Sequence, residues 1–116
     1  MYLATRRRNQ FGKDLVTGSY DLIVLDVLCQ GRAYGYEIKR RIWKQSKGTV
    51  LWRDGTIYNV LHHLEKQRLV TSQLYAPKIG HSRRYYRLTE RGKQIWRLRR
   101  TEWIAFSKML NALLGG

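Results

Sequence analysis

Asp54-Gly-Thr-Ile-Tyr-Asn-Val-Leu-His-His-Leu-Glu-Lys-Gln-Arg-Leu69 is the stretch on which the fold of this chain turns. Its apolar residues Ile57, Val60, Leu61 and Leu64 stand at i, i+3, i+4 and i+7, the spacing of one buried helical stripe. Asp54 precedes the first periodic residue, where a short carboxylate accepts from free backbone N–H groups and complements the positive end of the helix dipole. At about 100° per residue, the opposite face carries Gly55, Asn59, His62 and Lys66, with Thr56 and Tyr58 on its flanks. Of these only Lys66 is charged. A solvated face is usually richer in Lys and Glu, whereas a helix that reads base edges needs short polar and aromatic groups. The stretch therefore reads as a recognition helix.

Upstream, Ser19 is the expected N-cap of a core helix in which Asp21 lies in the first turn and Leu22, Leu25, Leu28 and Cys29 recur at helical spacing. Gly31 is its expected stop, and Cys29 is expected to pack within it. A second helix begins near Tyr34, runs through Ile38, Ile42 and Gln45, and ends at Lys47-Gly48. Val50-Leu51-Trp52 is too short for a helix and reads as an extended connector.

Downstream, Val70 to Ala76 and Arg84 to Leu88 are rich in strand formers, with Pro77, Gly80 and Ser82 between them. They predict an antiparallel hairpin with a cationic tip from Lys78 to Arg83. Thr89 is the expected cap of a last helix from Glu90 to about Leu114. That helix has two apolar stripes. Trp96, Trp103, Phe106, Leu110 and Leu113 form one; Ile95, Leu98, Ala105, Met109 and Ala112 form the other. One stripe is expected to pack on its own domain and the other on a second copy, giving a two-fold homodimer.

The fold class is thus mainly α with a small β-hairpin, a winged helix-turn-helix with a long C-terminal dimerisation helix. Residues 1–13 are expected to be a basic flexible arm, 14–88 the DNA-binding domain and 89–116 the dimerisation helix. The length of 116 residues leaves room for one modest core. Lys plus Arg number 23 against 8 Asp plus Glu, for a net charge of +15 and a pI near 10.6, which implies a polyanionic partner. Hydrophobic content of 43% excludes a disordered basic tail. Cys29 is the only cysteine, so no internal disulfide can form and a reducing compartment is the simpler assumption. No apolar run follows Arg6-Arg7-Arg8 as in a secretory signal, and none is long enough to cross a membrane. A cytoplasmic, nucleoid-associated protein is expected, with no membrane partner.

Taken in order, Gly31-Arg-Ala-Tyr-Gly-Tyr-Glu-Ile38, Asp54-Gly-Thr-Ile-Tyr58 with Leu61-His-His-Leu-Glu65, and Arg84-Tyr-Tyr-Arg-Leu-Thr-Glu-Arg-Gly92 resemble the PadR family of transcriptional regulators over roughly residues 15–114. The resemblance implies a dimeric repressor, a C-terminal helix that makes the dimer and, in some members, a ligand site near an aromatic of that helix. Three positions depart from the family pattern: Asn59 stands where proline is common, Arg68 where glycine often follows the recognition helix, and Gly80-His81 replaces a Gly-Gly pair in the wing. The first places a base-reading side chain where the family has none.

The expected DNA-binding residues are Tyr36, Lys39, Arg53, Thr56, Tyr58, Asn59, His62, Lys66, Lys78, Arg83 and Arg84. Among them Asn59 can pair bidentately with adenine, and Arg83 and Arg84 are the best phosphate or minor-groove ligands. The expected partner is double-stranded DNA, read at a palindromic operator. His63 is expected to line a helix–helix seam. Arg97, Arg99 and Arg100 are expected to raise the field or to meet acids across the dimer. Trp96 and Trp103 could sandwich a small aromatic effector, although an aromatic stripe at helical spacing is more often core. No cofactor is expected. Cys29, His62, His63 and His81 have no metal-ligand spacing, and they supply no nucleophile, base and orienter set, so neither a metal nor enzymatic activity is expected. Two other readings stay open: an architectural or RNA-binding protein that uses its charge without reading sequence, and a small-molecule sensor whose tryptophan-bearing helix is the working surface.

Overall fold

Ile57, Val60, Leu61 and Leu64 are all buried, and the helix they line sits at the centre of the domain. The computed structural model describes residues 19–115, so the expected basic arm over 1–13 lies outside the described residues. Along the chain come α1 (Tyr20–Cys29), β1 (Ala33–Tyr34), α2 (Gly35–Gln45), α3 (Asp54–Lys66), β2 (Val70–Tyr75), β3 (Arg83–Leu88) and α4 (Glu90–Leu114). The molecule is mainly helical with a small antiparallel sheet. Val24, Leu25, Val27 and Leu28 of α1 and Ile38 and Ile42 of α2 close over the α3 stripe, and Leu69, Val70, Tyr86 and Leu88 seal the sheet side. Each such side chain contributes about 1.5 to 3 kcal/mol of burial.

The hairpin forms as expected, in register from Val70 opposite Leu88 to Tyr75 opposite Arg83. A third strand joins it: β1 pairs Ala33 with Tyr86 and Tyr34 with Tyr85, which makes β3 the central strand. The connector before α3 is more than a link. Trp52 is buried and its ring lies 4.5 Å from that of Tyr20, pinning the entry to α3 onto the start of α1.

Two local expectations change. Arg53, in extended conformation, is the N-cap of α3, and Asp54 lies inside the first turn with its carboxylate turned to Lys39 Nζ at 3.2 Å. The dipole argument still holds for Asp54, but the capping argument does not. Cys29 is exposed at the last turn of α1, where Val27 and Leu28 take the inward positions. Arg68 adopts a left-handed φ of 61° just beyond α3, with Leu69 N–H donating to the Leu64 carbonyl at 3.0 Å. This is the helix stop that glycine usually makes, and an L-residue there costs roughly 1 to 2 kcal/mol. The Arg68 carbonyl in turn accepts from Thr89 Oγ1 at 2.7 Å, tying the end of α3 to the start of α4.

Thr89 caps α4, its hydroxyl accepting from Gly92 N–H at 3.0 Å. The two stripes of α4 do not divide by face as expected. Only Ile95, of one stripe, and Trp96, of the other, pack on the core. Leu98, Trp103, Ile104, Phe106, Met109, Leu110 and Leu113 are all exposed. The division is by length: 25 helical residues at about 1.5 Å each outrun the domain, so the first turns find a core and the rest do not.

Candidate nucleic-acid interface

Burying the α3 stripe turns the opposite side of the helix outward, so Asn59, His62 and Lys66 are exposed and line one shallow depression with His63 and Glu65. Tyr58 stands at the edge of this face, its ring 6.4 Å from that of His62. The tyrosine does not project freely. Its hydroxyl lies against Gly35, so close that a Cβ there would come within 2.9 Å of it. Tyr58 is thereby laid across the start of α2 and remains 44% exposed. Thr56 is half-buried, while Arg53 is exposed at the helix N-terminus.

A second depression, of about 420 Å³, joins Tyr34, Tyr36 and Tyr58 to His81, Ser82, Arg83 and Arg84, so the front of α2, the flank of α3 and the wing form one continuous surface. Arg83 stands over the Tyr34 ring at 4.7 Å, and Arg32 over Tyr85 at 4.5 Å, with Tyr34 and Tyr85 edge to face at 5.4 Å. Stacking of this kind holds guanidinium groups in place for about 0.5 to 1 kcal/mol each while leaving their charge. Arg84 donates to Ser72 Oγ at 3.2 Å, and Ser72 donates to Glu65 Oε2 at 2.7 Å. The wing is thus tied to the last turn of α3. Burial pushes the Tyr86 hydroxyl above its ordinary value, with Glu65 adding to the effect.

Of the expected contact residues, Tyr36, Tyr58, Asn59, His62, Arg83 and Arg84 meet on this surface, and Lys66 and Lys78 are exposed at the end of α3 and in the wing. Lys39 is placed differently: its ammonium group is engaged with Asp54 between α2 and α3. Both acids of α3 are therefore occupied within the protein, Asp54 by Lys39 and Glu65 by Ser72. The outward field of the helix is set by Lys66, Arg53 and the wing.

A largely polar helix face that carries Asn59, His62 and Lys66, beside a sheet with exposed arginines, is the kind of surface a winged helix-turn-helix offers to duplex DNA. The sequence pattern of the transcriptional regulator PadR-like family matches residues 24–98. The chain belongs to that family. Its fold is that of solved relatives. A transcriptional regulator from Clostridium thermocellum shares 28% identity at a TM-score of 0.79, covering 88% of this chain and 96% of that one. A PadR-like transcriptional regulator from Bacillus cereus shares 28% identity at a TM-score of 0.76, covering 90% and 99%. An uncharacterized protein of Lysinibacillus sphaericus is 27% identical over 103 residues, 89% of this chain and 94% of its own length. This PadR-like chain therefore works in DNA-binding transcription regulation. No helix among the described residues is long and apolar enough to cross a membrane.

Sequence reasoning missed Asp21, Asp26, Ser72 and Glu65 as partners of the surface and its supports. Asp21 lies 3.5 Å from His63 Nε2 and 3.7 Å from Arg99 Nη1, and Asp26 accepts from Trp96 Nε1 at 2.9 Å. His63 does line a seam, as expected; Arg99, by contrast, meets an acid of its own chain. Trp96 differs too, since its indole N–H is used within the domain and its ring packs on the core. Trp103 remains outward, 5.9 Å from Phe106, beside a cleft of about 490 Å³ lined by Leu22, Ile23, Asp26, Arg100 and Ile104 among others.

Proposed function

We propose that the chain is a sequence-specific repressor that acts as a homodimer on a palindromic operator and excludes polymerase sterically from a promoter. The observation that carries the reading is the outward polar face of α3, in which Asn59 and His62 stand exposed between Arg53 and Lys66. Asn59, His62 and Tyr58 read or touch bases and sugars; Arg53, Lys66, Lys78, Arg83 and Arg84 meet phosphates, with Thr56 and Tyr36 at the margin. The homodimer is supported by the far half of α4, where Phe106 is 47% and Leu113 75% exposed on a helix with no core beneath it. Residues 14–88 serve as the reading head and 89–116 as the dimer helix. Two α3 helices about 34 Å apart would enter successive major grooves.

Gel shifts on selected and random duplexes test this, with a specificity ratio of at least ~10³ expected. Asn59→Ala should lose about 1 to 3 kcal/mol of discrimination at one base position while leaving non-specific affinity nearly unchanged. Equal affinity for all duplexes, falling alike with salt and indifferent to Asn59→Ala, would establish the architectural reading instead.

A small aromatic effector is the second reading, and the cleft beside Trp103 favours it. Trp96 leaves this reading, because its N–H and ring are already engaged. Quenching of tryptophan emission by planar aromatic compounds should survive Trp96→Phe and disappear in Trp103→Phe. Quenching that Trp103→Phe leaves intact removes the site.

A further inference from the structure

We infer that Asp21 and Asp26 are positioning residues that lock the reading head to the dimer helix and so set which half-site spacing the protein accepts. The inference rests on the dimeric operator reading above. Both aspartates stand on α1, the helix between α3 and α4. The Asp21 carboxylate reaches both neighbours, His63 Nε2 of α3 at 3.5 Å and Arg99 Nη1 of α4 at 3.7 Å. Asp26 accepts the Trp96 indole N–H at 2.9 Å, one turn of α4 before Arg99. Trp96 and Arg99 are three residues apart, so both reach α1 from the same side of α4.

The Asp21 contacts are individually weak. The side chains of Asp21, Arg99 and His63 are 31%, 36% and 54% exposed, and pairs so placed are screened by solvent. Their arrangement matters more than their strength. One carboxylate shared between two helices cannot keep both contacts if α3 turns relative to α4. The part-buried Asp26–Trp96 hydrogen bond holds the same joint at a second point, and it is directional where the apolar packing of Ile95 is not. In a two-fold dimer built on α4, the angle at this joint determines the separation of the two recognition helices. A stiff joint accepts one spacing; a loose one accepts several.

The test uses the full chain and a series of duplexes carrying the same two half-sites, at the preferred separation and with one or two base pairs added or removed. The wild type should favour its preferred spacing by about tenfold or more, as two heads on one side of a duplex require. Asp21→Asn and Trp96→Phe should flatten that preference to roughly threefold or less, with the dimer intact by sedimentation, and Asp21→Glu should restore it. A merely electrostatic role predicts a different result. Asp21→Asn raises the net charge of +15 by one, which by itself tightens binding to every duplex and leaves the ratio between spacings alone. That outcome overturns the inference. Should Asp21→Asn fold poorly, Arg99→Gln removes one arm of the joint from a partly exposed site and must flatten the preference too. A wild type that binds one half-site as well as two overturns the dimeric reading and this inference with it. A spacing preference kept in full by the variants overturns this inference alone.

Discussion

Replacing Gly92 with alanine is expected to lower the unfolding free energy by about 3 kcal/mol, at the upper end of overpacking effects. Gly92 lies in the first turn of α4 and is buried, and a Cβ there would overlap the carbonyl group of Leu69. The obstacle is backbone, which cannot swing aside as a side chain can. That carbonyl also accepts from Thr89 N–H at 3.1 Å, and Gly92 N–H donates to Thr89 Oγ1, so any shift that relieves the clash also breaks the cap. In an exposed helix the same substitution would stabilise by about 0.5 to 1 kcal/mol. The sign of the effect therefore separates close packing from helix propensity. Chemical denaturation followed by circular dichroism reads it, and an unchanged or raised midpoint would show that α4 can draw back from Leu69.

The second large effect is expected at the other end of the same helix. A Phe106→Glu, Leu110→Glu double variant should leave the head folded, because neither side chain touches its core, and should yield a monomer. In the proposed dimer, two carboxylates placed in an apolar contact between copies would have to be desolvated without partners, at several kcal/mol each. With the two heads unlinked, affinity for a paired site should fall by roughly 10²- to 10⁴-fold toward that of a single head. Sedimentation and gel shifts on single and paired half-sites measure both consequences. A variant that stays dimeric, or a monomer that binds the paired site as tightly as the wild type, would show that α4 does not link the two heads.

The helix α3 was legible because its evidence is local. Ile57, Val60, Leu61 and Leu64 declare a face by their spacing alone, and whichever side they bury, Asn59 and His62 must stand opposite. The same holds for the hairpin, where strand formers flank a Pro and Gly segment, and for Thr89 before a long uninterrupted helix. The departure at Arg68 was visible as a missing glycine, but its left-handed φ was not, since only the closing of α3 against Leu69 imposes it.

Other features carry no local signal. Two residues, Ala33 and Tyr34, have no periodicity to read, and they become a strand only because Tyr85 and Tyr86 arrive beside them some fifty positions later. Nothing in the sequence near Lys39 signals that Asp54 will stand next to it. Trp96 and Trp103 are seven residues apart and equivalent by any pattern, yet one is bound to Asp26 and the other faces outward. Spacing along a helix says which residues share a side; it does not say where the neighbouring domain ends.

By itself, then, the sequence determined the helices, the hairpin, the outward polar face of α3 and the excess of positive charge, all properties of residues within a few turns of one another. The tertiary structure alone decided which charges are already spent within the protein, that Gly92 must lack a side chain, and that α1 holds both α3 and α4 through Asp21 and Asp26. Those outcomes depend on distances between groups as much as seventy-eight positions apart in the chain, and only closure of the core brings such groups together.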